Sequence, residues 1–114
     1  MWTVEFAAAV ERDFELIFDH LLSSYQDLGE DFDIAFDRAE QRILAIQTSA
    51  MDLAKAPHQG TLRPDILNDL RFVRRNKAVF WFISNEARKT VQILAIFYGG
   101  QDHIRHMLTR LLSD

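Results

Sequence analysis

Residues 70–98, LRFVRRNKAVFWFISNEARKTVQILAIFY, contain three runs of β-branched and aromatic residues separated by short polar segments. Such runs are typical of strands, and Asn76 and residues 85–87 provide the turn residues between them. The connections are too short for crossover helices, so neighbouring strands must be antiparallel. The predicted strands are Leu70–Arg75, Ala78–Ser84 and Thr90–Tyr98.

The middle strand is apolar on both faces. Successive side chains of a strand alternate, so Val79, Trp81 and Ile83 point to one side of the sheet. Phe80 and Phe82 point to the other side. A strand of this kind is covered on both faces. We therefore expect helices against one face and a second cover on the other.

Two amphipathic helices are predicted ahead of these strands. Trp2–Phe6 alternates apolar and polar residues as a half-buried strand does, and the period then changes to that of a helix. Gly29 ends the first helix, and Asp31 is the expected N-cap of the second. The connection is so short that the helices must form an antiparallel hairpin. They are predicted over residues 7–28 and 31–54.

A loop is predicted from Ala56 to Asn68, and the chain ends in a short helix after the turn Gly99-Gly100-Gln101. Asp102 is the expected N-cap of this helix, which runs to Leu112 and shields part of the second sheet face. The elements together predict a single α+β domain over residues 1–114. It consists of an N-terminal strand that joins the antiparallel three-stranded meander in one sheet, an antiparallel helical hairpin and a short C-terminal helix.

The composition suits one soluble domain. A chain of 114 residues with 48% hydrophobic content buries about two-thirds of its unfolded surface. It has no cysteine, which excludes disulfides and thiolate metal sites. There is no basic leader and no apolar run long enough to span a bilayer. We expect a cytoplasmic protein that is not associated with a membrane.

The charge is distributed unevenly although the net charge is only −4. Residues 1–54 hold 12 acidic and 3 basic residues, residues 55–90 hold 3 and 8, and residues 91–114 hold 2 of each. A nucleic-acid-binding protein needs a positive surface, since phosphate contacts supply most of the affinity. Only residues 55–90 offer such a positive surface. The alternative is that these Lys and Arg residues lie on a solvated edge strand and prevent aggregation of sheets.

Metal, cofactor and nucleophile sites are weakly indicated. His103 and His106 are three residues apart, but the sequence supplies no obvious third or fourth ligand. Gly99-Gly100 lacks the flanking pattern of a nucleotide-binding loop, and no serine lies in a nucleophile elbow. We therefore expect no metal and no cofactor.

Metal-free RNA cleavage receives more support from the residues. It needs cations that stabilise the phosphate and groups that move protons, and aromatic side chains can stack a base. The alternative is structural: the aromatic side chains lie in the core, Tyr98 caps the end of the sheet, and the arginines pair with acids of the helical hairpin. The side chains concerned are Arg71, Arg74, Arg75, Trp81, Phe97 and Tyr98.

Several segments, taken in order, carry a resemblance that covers nearly the whole chain. They are Trp2–Phe6 with Asp13-Phe14, Ala35–Leu53 followed by Pro57 and Gly60, Leu70-Arg71, Val79–Phe82 and Ile93–Asp102. Each is unspecific alone. Their order and spacing resemble the RelE/ParE toxins of bacterial toxin-antitoxin pairs.

The resemblance implies a toxin that a cognate ParD-like antitoxin holds inactive. ParE-like members poison DNA gyrase without catalytic residues of their own, whereas RelE-like members cleave mRNA on the ribosome and are strongly basic. This chain is acidic, so its charge opposes an approach to the ribosome. We therefore favour a gyrase poison. The alternative is an mRNA endonuclease that uses Arg71, Tyr98 and His58, and a third reading is a non-toxic structural relative.

We expect the antitoxin to form a hetero-oligomer with the toxin through a disordered segment that folds on binding. A helix or strand of this segment would cover the hairpin and the exposed sheet face. Its apolar residues would meet aromatic side chains, and its acidic residues would meet arginines. The predicted partner-binding residues are Arg71, Arg74, Arg75, Trp81, Phe97 and Tyr98.

Overall fold

The computed structural model describes residues 1–99 and 102–113. Within them the chain forms five strands and three α-helices, so the predicted α+β class is confirmed. The strands are β1 (Thr3–Phe6), β2 (Thr61–Leu62), β3 (Leu70–Arg75), β4 (Ala78–Asn85) and β5 (Thr90–Tyr98). The helices are α1 (Val10–Asp27), α2 (Phe32–Asp52), which continues into a 3₁₀ turn (Leu53–Lys55), and α3 (His103–Leu112).

The strands form one sheet in the order β1-β5-β4-β3-β2. As predicted, β3, β4 and β5 are antiparallel neighbours, and β1 joins them, running parallel to β5. The sequence predicts a loop at residues 56–68, but the structure has the two-residue strand β2 there, with Thr61 opposite Phe72. Two residues are too few to show the alternation that predicts a strand.

The helix ends differ from prediction in three places. α1 begins at Val10, because residues 7–9 form a turn rather than the first residues of the helix. Asp31 and Asp102 occupy the N-cap positions of α2 and α3, as predicted, but neither makes the side-chain hydrogen bond expected of a cap. Asp102 has a left-handed backbone (φ 55°) instead of the extended one that an N-cap needs. The predicted glycine turn before it includes Gly100 and Gln101, which lie outside the described residues.

The sheet separates two hydrophobic clusters, and the alternation predicted for β4 is confirmed. Phe80 and Phe82 pack with α1 and α2 on one face. Val79 and Trp81 lie on the other face, where Met107 of α3 covers them. The expected second cover is therefore α3.

A β-bulge interrupts the pairing of β5 with β4. Trp81 lies opposite Ala95, but the next residue, Phe82, lies opposite Ile93, so Leu94 is an extra residue in β5. As a result, Leu94 and Ala95 both pack in the cluster under α3, although they are consecutive. Nothing in the sequence pattern predicts the bulge.

Two charged side chains satisfy the backbone of β5 next to the bulge, beyond the point where β1 ends. The Asp13 carboxylate is 3% exposed and accepts a hydrogen bond from the Ile96 amide at 3.0 Å. Arg110 donates to the Leu94 carbonyl at 3.0 Å and to Asp13 at 3.1 Å, and a second guanidinium nitrogen contacts the other carboxylate oxygen. Asp13 therefore joins α1, β5 and α3.

His103 begins α3 in an apolar environment. Its side chain packs against the rings of Phe72, at 4.8 Å between centroids, and Trp81, at 5.4 Å. Burial lowers the pKa of His103 from its usual 6.5, and the positive charges of Arg74 and Arg63 lower this pKa further. Among the described residues, neither His103 Nδ1 nor Trp81 Nε1 has a hydrogen-bond partner.

Replacing Asp13 by alanine should lower the free energy of unfolding by about 3–5 kcal/mol, because a largely buried Arg110 and the Ile96 amide then lose their partner. Urea denaturation measures the loss. Glu15→Ala is the matched control, since the Arg12–Glu15 pair is exposed and contributes about 0–1 kcal/mol. Equal losses in the two variants would contradict the assigned role of Asp13.

The lowered pKa of His103 predicts a stability that falls in acid. The unfolded chain takes up a proton near pH 6.5 and the folded chain only at its lower pKa. The contribution of neutral His103 to the free energy of unfolding is therefore fully present above pH 6.5. It decreases as the pH falls from there towards the folded-state pKa. Urea midpoints at pH 7.5 and 5.5 should differ less in His103→Gln than in the wild type. An equal difference in His103→Gln and in the wild type would contradict the assigned role of His103.

Candidate partner-binding surface

The residues predicted to act on RNA lie at two separate ends of the sheet. Arg71 of β3 is opposite Phe82 of β4, whereas Tyr98 of β5 is opposite Ala78. Phe82 and Ala78 are four positions apart in β4, which corresponds to about 13 Å along the strand. The structure brings Arg71 and His58 together and leaves Tyr98 apart from them.

A cleft of about 340 Å³ lies at the end of the sheet that carries Tyr98. The Tyr98 ring lies 5.9 Å from the ring of His20, and the Phe97 ring lies 5.5 Å from that of His106. The sequence prediction missed Asp13, Arg110 and His20 at this position. The sequence could have indicated Asp13, because this acidic residue falls within the apolar stripe of α1 and is therefore expected to be buried with a partner. The lining residues are Asp13, Leu16, Ile17, His20, Ile96, Phe97, Tyr98, His106 and Arg110.

A second cleft, of about 300 Å³, lies beside Arg71. Arg71 donates a hydrogen bond to the backbone carbonyl of His58 at 2.8 Å. The imidazole Nε2 of His58 contacts the carboxylate of Glu86, and Trp2 packs edge-on against the same ring at 5.5 Å. The Ser84 hydroxyl donates to the Pro57 carbonyl, which holds the loop after α2 against β4.

Two acidic residues of this second cleft were not predicted as site residues. Glu86 falls in the turn between β4 and β5 and reaches His58 only because that turn lies next to the loop after α2. Asp69 has a left-handed backbone (φ 63°), which is uncommon for a residue with a side chain. Neither position shows a sequence pattern that would have indicated it.

The three arginines of β3 do not form one patch. Arg71 and Arg75 are on the strand face that carries Val73, which packs with the helices, and Arg74 is on the opposite face. Arg75 donates to the side chain of Gln59 at 2.7 Å, and Arg74 donates to the Gly99 carbonyl at 3.3 Å. Their hydrogen bonds go to carbonyl groups, so the interpretation that they pair with acids of the hairpin is wrong.

The predicted aromatic contacts differ in their exposure. Trp81 is completely buried, with Phe72 at 4.8 Å, so the interpretation of Trp81 as a core residue is correct and it offers no surface to a partner in this structure. Phe97 and Tyr98 are half-buried and border the first cleft. They remain candidates for partner contact.

Within residues 1–99 and 102–113, no three His, Asp or Glu side chains are close enough to hold a metal ion. In the same part of the chain, no helix combines the length and the apolar character needed to cross a membrane.

Comparison with known proteins identifies the fold. No protein-family model and no curated protein matches the sequence. Among solved structures, the chain is similar to a chain of the chromosomal ParDE toxin-antitoxin (TA) system from P. aeruginosa, with 21% identity and a TM-score of 0.63. The similarity covers 86% of this chain and 96% of that chain. This protein therefore has the fold of a ParDE-system chain, as the resemblance to RelE/ParE toxins implied.

Proposed function

We propose that this protein is the toxin of a type II toxin-antitoxin pair and that a cognate ParD-like antitoxin binds it as a hetero-oligomer. The observation that carries the proposal is the fold shared with a chain of the P. aeruginosa ParDE system, over almost the full length of both chains. Arg74 and Arg75, which are exposed on β3, and the acidic helical hairpin supply charged surfaces for such a partner.

We further propose that the toxin acts on DNA gyrase in the cytoplasm. Two observations favour gyrase over the ribosome. The net charge of −4 opposes approach to ribosomal RNA. Arg71 and Tyr98 lie at different ends of the sheet, so one scissile phosphate could not contact both. A gyrase poison acts through contact and needs no such shared site.

Purified toxin should convert plasmid to protein-linked linear DNA in a reaction with gyrase and ATP, visible after detergent and protease treatment. Addition of the antitoxin should remove the linear product. Tyr98→Phe should keep the effect within about threefold, because the ring that packs against His20 is retained. Absence of linear DNA with toxin that still binds its antitoxin would reject gyrase as the target.

A second candidate is a metal-independent endoribonuclease at the cleft beside Arg71. The contact between His58 and Glu86 favours it, because a carboxylate can stabilise the imidazolium that forms when histidine takes the proton of a ribose 2′-hydroxyl. Arg71 would then neutralise the phosphate. This candidate ranks second because Asp69 and Glu86 also line the cleft and their charges repel a phosphate.

His58→Gln distinguishes the two candidates. His58 is half-exposed, so the substitution should leave the fold intact. If the protein cleaves mRNA on ribosomes, His58→Gln should lower the cleavage rate by about 10²–10⁴-fold. Tyr98→Phe, on the other cleft, should leave this rate unchanged. For a gyrase poison, we expect no mRNA cleavage by the wild type and linear DNA from both variants.

A further inference from the structure

The turn between α1 and α2, together with the first residues of α2, carries the whole net charge of the protein. We define this hairpin tip as residues 27–38. It holds five acidic residues and one basic residue, which leaves 12 acidic and 12 basic residues in the rest of the chain. The surplus negative charge is therefore concentrated at one end of the helical hairpin. The acidic residues of the tip are Asp27, Glu30, Asp31, Asp33 and Asp37.

The single basic side chain of the tip already has partners. Arg38 donates hydrogen bonds to both oxygens of the Glu30 carboxylate, at 2.5 and 2.6 Å, and its guanidinium lies 4.2 Å from the centroid of the Tyr25 ring. The four aspartates of the tip are exposed and form no salt bridge with any residue that the structure describes. Their charges are therefore open to a partner.

Large apolar side chains are exposed among these charges. Phe32 is 54% exposed, and its ring lies 5.8 Å from that of Phe36, which lies 5.0 Å from that of Phe18. This row of rings holds Phe32 against the hairpin. Leu28 and Ile34 are close to Phe32 in the sequence and are 79% and 54% exposed. Apolar side chains grouped in water within a polar rim indicate contact with another macromolecule.

The charge of the tip indicates the chemistry of this macromolecule. Nucleic acids and anionic membranes carry phosphates, which repel the tip, and the tips of two copies of this chain repel each other. The partner is therefore a protein with a basic surface and an apolar hollow. Gyrase offers a basic surface, because an enzyme that holds DNA needs positive charge for its phosphate contacts. A poison of the cleaved complex must reach the part of this surface that bound DNA leaves open.

We propose that the hairpin tip docks on a basic surface of gyrase beside the bound DNA, with Phe32 as its apolar anchor and the aspartates as its charged rim. The inference rests on the proposed function, because it takes gyrase as the target. The 18 residues of α1 separate the tip by about 27 Å from the end of the hairpin that follows β1. Seven acidic residues of residues 1–54 lie outside the tip and remain for the antitoxin.

Neutralisation of the tip tests the charge. Affinity is measured with purified gyrase bound to a linear DNA duplex, at low and at high salt concentration. The triple variant Asp31→Asn/Asp33→Asn/Asp37→Asn should bind about tenfold more weakly than the wild type at low salt. The difference should shrink at high salt, because salt screens exposed charges.

The matched control is Glu11→Gln/Glu15→Gln/Glu40→Gln, which removes the same charge from exposed positions outside the tip. It should bind gyrase within about twofold of the wild type, because these positions lie outside the contact. Equal losses in the two triple variants would assign the effect to net charge and would overturn the inference.

Removal of the aromatic ring tests the anchor. Phe32→Ser should bind gyrase about tenfold more weakly at both salt concentrations, because salt does not screen the burial of an apolar side chain. Leu44→Ser is the matched control, since Leu44 is 61% exposed on α2 outside the tip, and it should stay within about twofold of the wild type. All substituted positions are exposed, so urea midpoints near that of the wild type should show that the variants fold.

The antitoxin provides the second measurement. The tip triple variant and Phe32→Ser should both bind it within about threefold of the wild type, because the tip belongs to the contact with gyrase. A loss of antitoxin affinity as large as the loss of gyrase affinity would overturn the inference, and so would unchanged gyrase binding by both variants. Either result would leave the proposed function intact. If wild-type toxin bound its antitoxin but not gyrase, both the proposed target and the inference would be wrong.

Discussion

The Asp13 carboxylate accepts hydrogen bonds from the Ile96 amide and from Arg110, so one buried group connects α1, β5 and α3. A buried charge is tolerated only where a partner and hydrogen bonds compensate for its lost hydration. Both are present because β1 ends opposite Ile93, so the Leu94 carbonyl and the Ile96 amide have no partner in β1 and bond Arg110 and Asp13 instead. Arg110 belongs to α3, so the same contact joins to the sheet the helix whose Met107 covers Trp81.

The pairing register of the sheet determines where the candidate functional residues lie. β5 lies between β1 and β4, and its antiparallel pairing with β4 puts Tyr98 at one end of the sheet. Arg71 lies about 13 Å away along the strand direction, and strand alternation turns Arg74 to the opposite face. Arg71 therefore lines one cleft, together with His58, and Tyr98 lines the other.

The molecule is also electrically polar. The acidic segment, residues 1–54, supplies β1, α1 and α2, and the basic segment, residues 55–90, supplies β2, β3 and β4. A partner that covers both segments needs a basic stretch and an acidic stretch in one chain. A segment that folds on binding can present both, since it can wrap around a large surface.

The sequence by itself determined the elements with a local period: the three meander strands, the two long helices, the end of α1 at Gly29 and the opposite faces of Val79 and Phe80. It also determined which half of the chain is acidic. The tertiary structure decided the parallel pairing of β1 with β5, the strand β2, the bulge at Leu94 and the contact of Glu86 with His58. Asp13 meets Ile96 across 83 positions and Arg110 across 97. Contacts between residues so far apart leave no periodic signal in the sequence, because they arise only when separate elements pack together.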